Sequence, residues 1–325
     1  MIHRIARRFA AVVAASAAFA AFGQAYPTKP ITLIVPFAAG GPTDTIARVL
    51  AERMSRSLGQ TIVVENVAGA GGTIANNRVL RAPADGYTVE IGHIGTHVLA
   101  AAVQDIKDDY VTAFDPVGMV AANAEVVVVN PSVPAKTLQE FIAYVKKNPG
   151  IVTYGTGGPG TPSHVMAVDF GNRVGAPLNI VHYKGSGPAL QDVIAGHVNS
   201  TFDQAATALT QVKAGRVRAL AVTSKTRLAS APDIPTVDEA GLPGLYMSIW
   251  HGLWVPKGTP HDVVMKLNGA AREALADPAI RKRLEDIGQD IPAPDQQSPE
   301  ALRAFHKAEW DKWVPLIQKA GIKAQ

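Results

Sequence analysis

Short apolar runs alternate with amphipathic stretches along most of this chain. Ile31–Val35 reads ITLIV, an apolar run of strand length. Over 45–58 the apolar residues Ile46, Leu50, Met54 and Leu58 recur every four positions, which is one face of a helix. Gly59 follows as a helix stop. Glu52 and Arg56 make a favourable i,i+4 pair on the outer side. The next strand is TIVVE at 61–65. The same alternation predicts strands near 87–92, 125–129, 151–154, 179–183, 199–203, 216–223 and 248–255. It predicts helices near 73–81, 137–147, 163–174, 187–195, 205–214, 261–276, 278–287 and 299–319. Strand–helix alternation of this kind means an α/β fold with mostly parallel sheets.

A length of 325 residues suggests two domains. Two segments could carry the chain between them. The run EVVVVN at 125–130 precedes Pro131 and Pro134, and RVRALAVTS at 216–224 precedes a Pro-rich loop from Pro232 to Pro243. If both cross over, 125–222 forms a second domain inserted into a discontinuous first one, 26–124 plus 223–325.

Charge enters next. The chain has 31 Lys+Arg against 27 Asp+Glu, a net +4 that suggests nucleic acid or an anionic membrane as partner. The excess is local. Residues 1–25 hold Arg4, Arg7 and Arg8 and no acid, then an apolar run over 9–22 broken only by Ser16, then Gly23-Gln24-Ala25. That is the pattern of an export signal with cleavage near Ala25. The apolar run is shorter than the roughly 20 residues a spanning helix needs. Without this segment 28 basic residues face 27 acidic ones, and the nucleic-acid reading loses its support. The chain has no Cys, so disulfides, Cys-ligated metals and thiol nucleophiles are excluded.

Three Gly-rich loops could carry chemistry. Pro36-Phe37-Ala38-Ala39-Gly40-Gly41-Pro42-Thr43-Asp44 joins a buried strand to an amphipathic helix. Ligands of α/β sheets bind at strand carboxyl ends, and a helix start offers free N–H groups to an anion. Thr43 or Asp44 could instead cap the helix with no ligand involved. No Gly-Lys-Ser/Thr follows, so a nucleotide P-loop is excluded. The loop from Gly155 to His164, GTGGPGTPSH, repeats the arrangement. It matches GxGxxG, but residues 175–180 lack the acid a dinucleotide site needs. Two such loops face to face would hold a small carboxylate. Ala68-Gly69-Ala70-Gly71-Gly72-Thr73 reads more simply as a turn.

Catalytic signals are poor. His93 and His97 sit at a Gly-broken strand end rather than on a helix face, and no HExxH accompanies them. His97 reads better as a cleft-lining hydrogen bonder. His182 has no nucleophile partner, and Gly185-Ser186-Gly187 lacks the spacing of a nucleophile elbow. Asp203 could face the cleft or cap the following helix. Trp250, Trp254, Trp310 and Trp313 read as packing residues. An exported hydrolase or dehydrogenase would need a nucleophile–base pair or a cofactor fingerprint, and neither is present.

At these residues the chain resembles the Bug-type (TctC-like) periplasmic substrate-binding proteins of the tripartite tricarboxylate transporter system. The resemblance runs through YPTKPITLIVPFAAGGPTDTIARVLAERM, LGQTIVVENVAGAGG, NPSVPAKTLQEFIAYVKKNPG, YGTGGPGTPSH, HYKGSGPALQDVIAGHV and WHGLWVPKGTP. It implies a two-domain clamshell of the type II periplasmic binding class, with no enzyme activity, cofactor or metal. It implies a ligand gripped by Phe37, Ala39, Gly40, Thr43 and Asp44 from the first loop. From the second it implies Thr156, Gly157, Gly158, Thr161 and His164, with Thr96, His97 and Asp203 as further candidates. Two departures stand out: Pro-Gly-Thr-Pro-Ser-His replaces a Gly-Ser run before the His, and Val168-Asp169-Phe170 lacks a Glu two before the Phe. The expected partners are a small organic acid (dicarboxylate, tricarboxylate, aromatic acid or amino acid) and the transporter's membrane subunits, with the receptor a monomer. A ligand-presenting accessory to a membrane kinase is the alternative output.

Overall fold

The computed structural model describes residues 26–106 and 109–324, so the export segment expected at 1–25 lies outside the described part. The first lobe begins β1 (Ile31–Val35), α1 (Pro42–Leu58), β2 (Ile62–Asn66), α2 (Thr73–Leu80) and β3 (Thr88–His93). A long strand, β4 (Phe114–Val129), leads out of it. The second lobe follows with α3 (Leu138–Lys147), β5 (Thr153–Thr156), α4 (Pro162–Val174), β6 (Asn179–His182) and α5 (Ser186–Ala195). It continues with β7 (Ser200–Gln204), α6 (Ala205–Lys213) and β8 (Arg218–Val222). The chain returns through β9 (Ser248–Pro256), α7 (His261–Ala276), α8 (Pro278–Asp286) and α9 (Pro299–Ala320).

The strands join in the order β2-β1-β3-β9-β4-β7-β5-β6, with β8 also on β4. β4 is the shared spine. Over its first part it pairs with β9, as far as Ala124 with Ser248. From Glu125 to Val129 it pairs with β7 and β8 instead. β4 thus changes partners between Ala124 and Glu125. The pattern predicts only 125–129 as strand here, because Pro116, Gly118 and Asn123 are strand breakers. The structure absorbs them with register shifts between Pro116 and Gly118 and between Met119 and Ala121.

The expectation of mostly parallel sheets needs correction. β1–β2, β1–β3, β5–β6 and β5–β7 are parallel. The pairs made by β4 and β9 are antiparallel, because these strands run back between the lobes. Within each lobe the parallel units leave their carboxyl ends, and the loops that follow, facing the other lobe.

The helical face read from the sequence is the buried one: Ile46, Leu50, Met54 and Leu58 pack with Ile31, Leu33, Leu267 and Leu284. Truncating Leu50 to Ala would cost about 2–5 kcal/mol by opening a cavity. In the second lobe Phe141, Tyr154, Phe170 and Phe202 pack together. Trp250 and Trp254 are fully buried, and Trp310 and Trp313 of α9 pack against the same cluster. The indoles of Trp250 and Trp313 both donate to Glu309 Oε2, at 3.2 Å each, which ties α9 to β9.

Candidate functional site

Four helices begin at one cleft, and none of them is capped by its own side chain. α1 starts at Gly41, α4 at Thr161, α5 at Gly185 and α6 at Gln204. Elsewhere Thr137, Asp277 and Ser298 do cap α3, α8 and α9. Helix starts carry unpaired N–H groups and partial positive charge. Pro42 and Pro162 sit at the first helical positions of α1 and α4, where their missing N–H costs nothing. The cap residues thus leave the first turns of these helices without a side-chain partner, while the loop amides of Gly40, Gly157, Gly158 and Gly160 are engaged within the loops.

The cleft is nearly shut, with about 10 Å³ of its interior open to a water-sized sphere. Phe37, Thr43 and His93 line it from the first lobe, and Thr161, Ser186 and Gln204 from the second. Glu125 lines it as well, where β4 changes partner. No Lys or Arg is among the lining residues. Any hold on an anion thus rests on backbone and neutral side chains.

The lobes touch around the cleft. Ala38 N–H donates to Lys184 O at 3.1 Å, and the Gln104 amide donates to Pro159 O at 3.2 Å. A methyl group on Gly71 would collide with that same Pro159 carbonyl. These contacts bring the loops of the two lobes together over the cleft.

Burial holds the cleft histidines toward their neutral form. His93 Nδ1 accepts from Gly95 N–H at 2.8 Å, so its neutral ring carries the proton on Nε2. Burial pulls its pKa down to about 3, and the ring lies flat on Phe37 with centroids 5.0 Å apart. His164 Nδ1 likewise accepts from Gly160 N–H at 3.1 Å. Burial, then the neighbouring His182, lowers its pKa to about 4. His182 Nδ1 meets Thr156 Oγ1 at 2.7 Å.

Several candidate residues hold the loops rather than face the cleft. Asp44 Oδ2 accepts from Gly40 N–H and Arg48 Nε, both at 2.9 Å, and Oδ1 accepts from the Asn66 amide at 3.0 Å. Asp44 pins the loop before its helix without occupying the cap position. Gly157 N–H donates to Ser163 Oγ at 3.0 Å, Gly158 N–H reaches Thr156 Oγ1 at 3.4 Å, and Thr161 Oγ1 donates to Gly158 O at 2.7 Å. Ala39 and Gly40 are exposed at the loop tip.

Thr96 and His97 belong to a π-helical turn, Gly95–Leu99. Thr96 Oγ1 bonds within that turn to His93 and to His97 Nδ1. The His97 ring stacks on Trp254 at 3.8 Å, inside the lobe. Asp203 lies opposite Val126, and its Oδ2 accepts from Thr207 Oγ1 at 2.6 Å. The cleft position on β7 goes to Gln204, opposite Glu125. Burial raises the Asp203 pKa to about 7.

Sequence reasoning passed over His93, Glu125, Ser186 and Gln204 as site residues. The Glu125 signal was present: one acid heading a run of four valines in a strand meant for the core. Glu125 is 1% exposed. Burial first, and then the charge of Asp203, pushes its pKa well above the ordinary carboxylate value. Among the described residues no group of three or more His, Asp or Glu is placed to hold a metal.

Two α/β lobes joined by crossing strands, with uncapped helix starts turned toward a shared cleft, define a type II periplasmic binding protein fold. The chain belongs to the tripartite tricarboxylate transporter family receptors (TctC), whose family model matches residues 46–322, and is of the Bug type. The periplasmic binding protein BugD superposes with a TM-score of 0.88 at 39% identity, over 92% of this chain and 100% of that one. MatC from Rhodopseudomonas palustris, solved with bound malate, gives 0.87 at 36% identity over 90% of this chain and 100% of that one. An R. palustris protein solved with adipate gives 0.87 at 34% identity over 92% and 99%.

Proposed function

We propose that this protein is a periplasmic solute receptor that binds a small organic acid in the interlobe cleft and delivers it to a tripartite transporter. The observation that carries the reading is the convergence of four uncapped helix starts, from both lobes, on a cleft without Lys or Arg. Such a site suits a carboxylate, which accepts several main-chain N–H bonds at once. Relatives solved with malate and adipate support it. The family supports delivery to a transporter, and the export pattern at 1–25, with cleavage near Ala25, supports the periplasm.

Each lobe supplies half of the grip, so the ligand favours the closed state and is held by contacts that opening breaks. The lobes move as 26–124 with 223–325 against 125–222, about β4 at Ala124–Glu125 and the connection after Val222. The proposed ligand contacts are Phe37, Thr43, Thr161, Ser186 and Gln204, with Gly157 and Gly158 shaping the second loop and His164 supporting it. A thermal-shift screen of refolded, ligand-stripped protein tests the reading. At least one mono-, di-, tri- or aromatic carboxylate is expected to raise the melting temperature. Absence of stabilisation across all four classes would overturn it.

A further inference from the structure

Asp44 is the acid that the sequence puts nearest the first loop, but its two oxygens are occupied by Gly40, Arg48 and Asn66. Glu125 is different. It lines the cleft, it is almost fully buried, and its Oε2 has no hydrogen-bond partner. Its main-chain N–H is engaged by Thr223 Oγ1 at 3.0 Å, which fixes the strand. A buried oxygen with no partner is costly, and native structures keep such groups for a purpose.

The cleft therefore combines two chemistries. The starts of α1, α4 and α5 favour an anion. Glu125, paired with Gln204 at the start of α6 and with Asp203 behind, adds a carboxyl to the same lining. We infer that Glu125 is the specificity-determining residue of the cleft and receives an ammonium group, so that the solute is a small amino-substituted carboxylic acid. This rests on the carboxylate reading above. Gln204 shares its amide oxygen with Asn123 Nδ2 at 3.2 Å, so the carboxyl of Glu125 is the freer acceptor.

The proton balance follows. In the free protein burial, and then the neighbouring Asp203, shift Glu125 toward its protonated form. An arriving ammonium pairs with the carboxylate form, and the displaced proton leaves to solvent. A second carboxylate on the ligand would instead accept the Glu125 proton, and none would be released. The other ionisable groups around Glu125 are Asp203 on β7, Tyr154 on β5, His93 on β3 and His251 on β9.

Calorimetric titration of refolded protein tests this, with aspartate against succinate and glutamate against glutarate, pairs that differ by one amino group. Runs at pH 6.5 in buffers of different ionisation enthalpy count protons. The amino acid of at least one pair is expected to bind about tenfold or more tighter than its unsubstituted partner, with release of up to about one proton. Glu125→Gln is expected to abolish both the preference and the release, while Asp203→Asn keeps the preference and at most lessens the release. The unliganded melting temperature of each variant reports folding, and the wild-type proton count stands without either variant. Unsubstituted acids binding as tightly as amino acids, or no proton release, would overturn this inference alone. Binding by none of the four, with no stabilisation across the carboxylate screen, would overturn the carboxylate reading as well.

Discussion

Gly71 of the first lobe lies directly against the carbonyl of Pro159 in the second, and an added Cβ would collide with it. Gly71 also has a φ of 65°, in the left-handed region. Gly71→Ala should therefore do two things. It should cost about 1 kcal/mol of stability through backbone strain. It should also weaken ligand binding about tenfold or more, because the closed state is blocked. Gly59→Ala is the control: its φ is 66° but a Cβ there meets nothing within 4 Å. It should lose stability alike and leave affinity unchanged, as read by melting curves and calorimetry.

Asp44 holds the first binding loop from behind. Burial would raise its pKa, but hydrogen bonds from Arg48, Gly40 and Asn66 outweigh that and hold it below the ordinary value. A lowered carboxylate pKa gives stability that is present above the unfolded value, near 3.9, and lost as pH falls through the native one. Asp44→Ala should cost about 1–2 kcal/mol at pH 7, because Gly40 N–H and the Asn66 amide lose their acceptor. The difference from wild type should shrink below about pH 4 in denaturant titrations. Unchanged melting with binding abolished would mean that Asp44 meets the ligand instead.

Glu90 of β3 is fully buried with neither carboxyl oxygen partnered, and burial raises its pKa to about 8. The folded state keeps a proton that the unfolded chain loses near pH 4.3, so stability falls as pH rises from there toward 8. The buried histidines act the other way. They are neutral when folded, so stability falls as pH drops below about 6.5. Glu90→Gln should therefore melt above wild type at pH 8, by the equivalent of about 1 kcal/mol or more, with a smaller difference at pH 5. Equal melting at both values would place Glu90 in contact with water.

The sequence made the helical faces and the two glycine loops legible, because both are local patterns. Ile46, Leu50, Met54 and Leu58 face the core as their spacing requires. What local pattern could not supply was direction across the sheet. Asp203 and Gln204 are adjacent and point to opposite faces; only the pairing of Glu125 with Gln204 decides which one meets the cleft. His97 follows a Gly-broken strand, yet the π-helical turn carries its ring onto Trp254, a residue 157 positions away in sequence. Glu125 was hidden for the same reason: the strand that buries it changes partner at that residue.

The central claim is that main-chain donors at uncapped helix starts hold a carboxylate. The most direct measurement is the calorimetric affinity of stripped protein for the acid that stabilises it best, set beside the primary amide of that acid. The amide keeps the shape and loses the charge. The account predicts that the acid binds and that the amide binds weaker by about tenfold or more, the scale of a charge-assisted hydrogen bond. An amide that binds as tightly as the acid would contradict it.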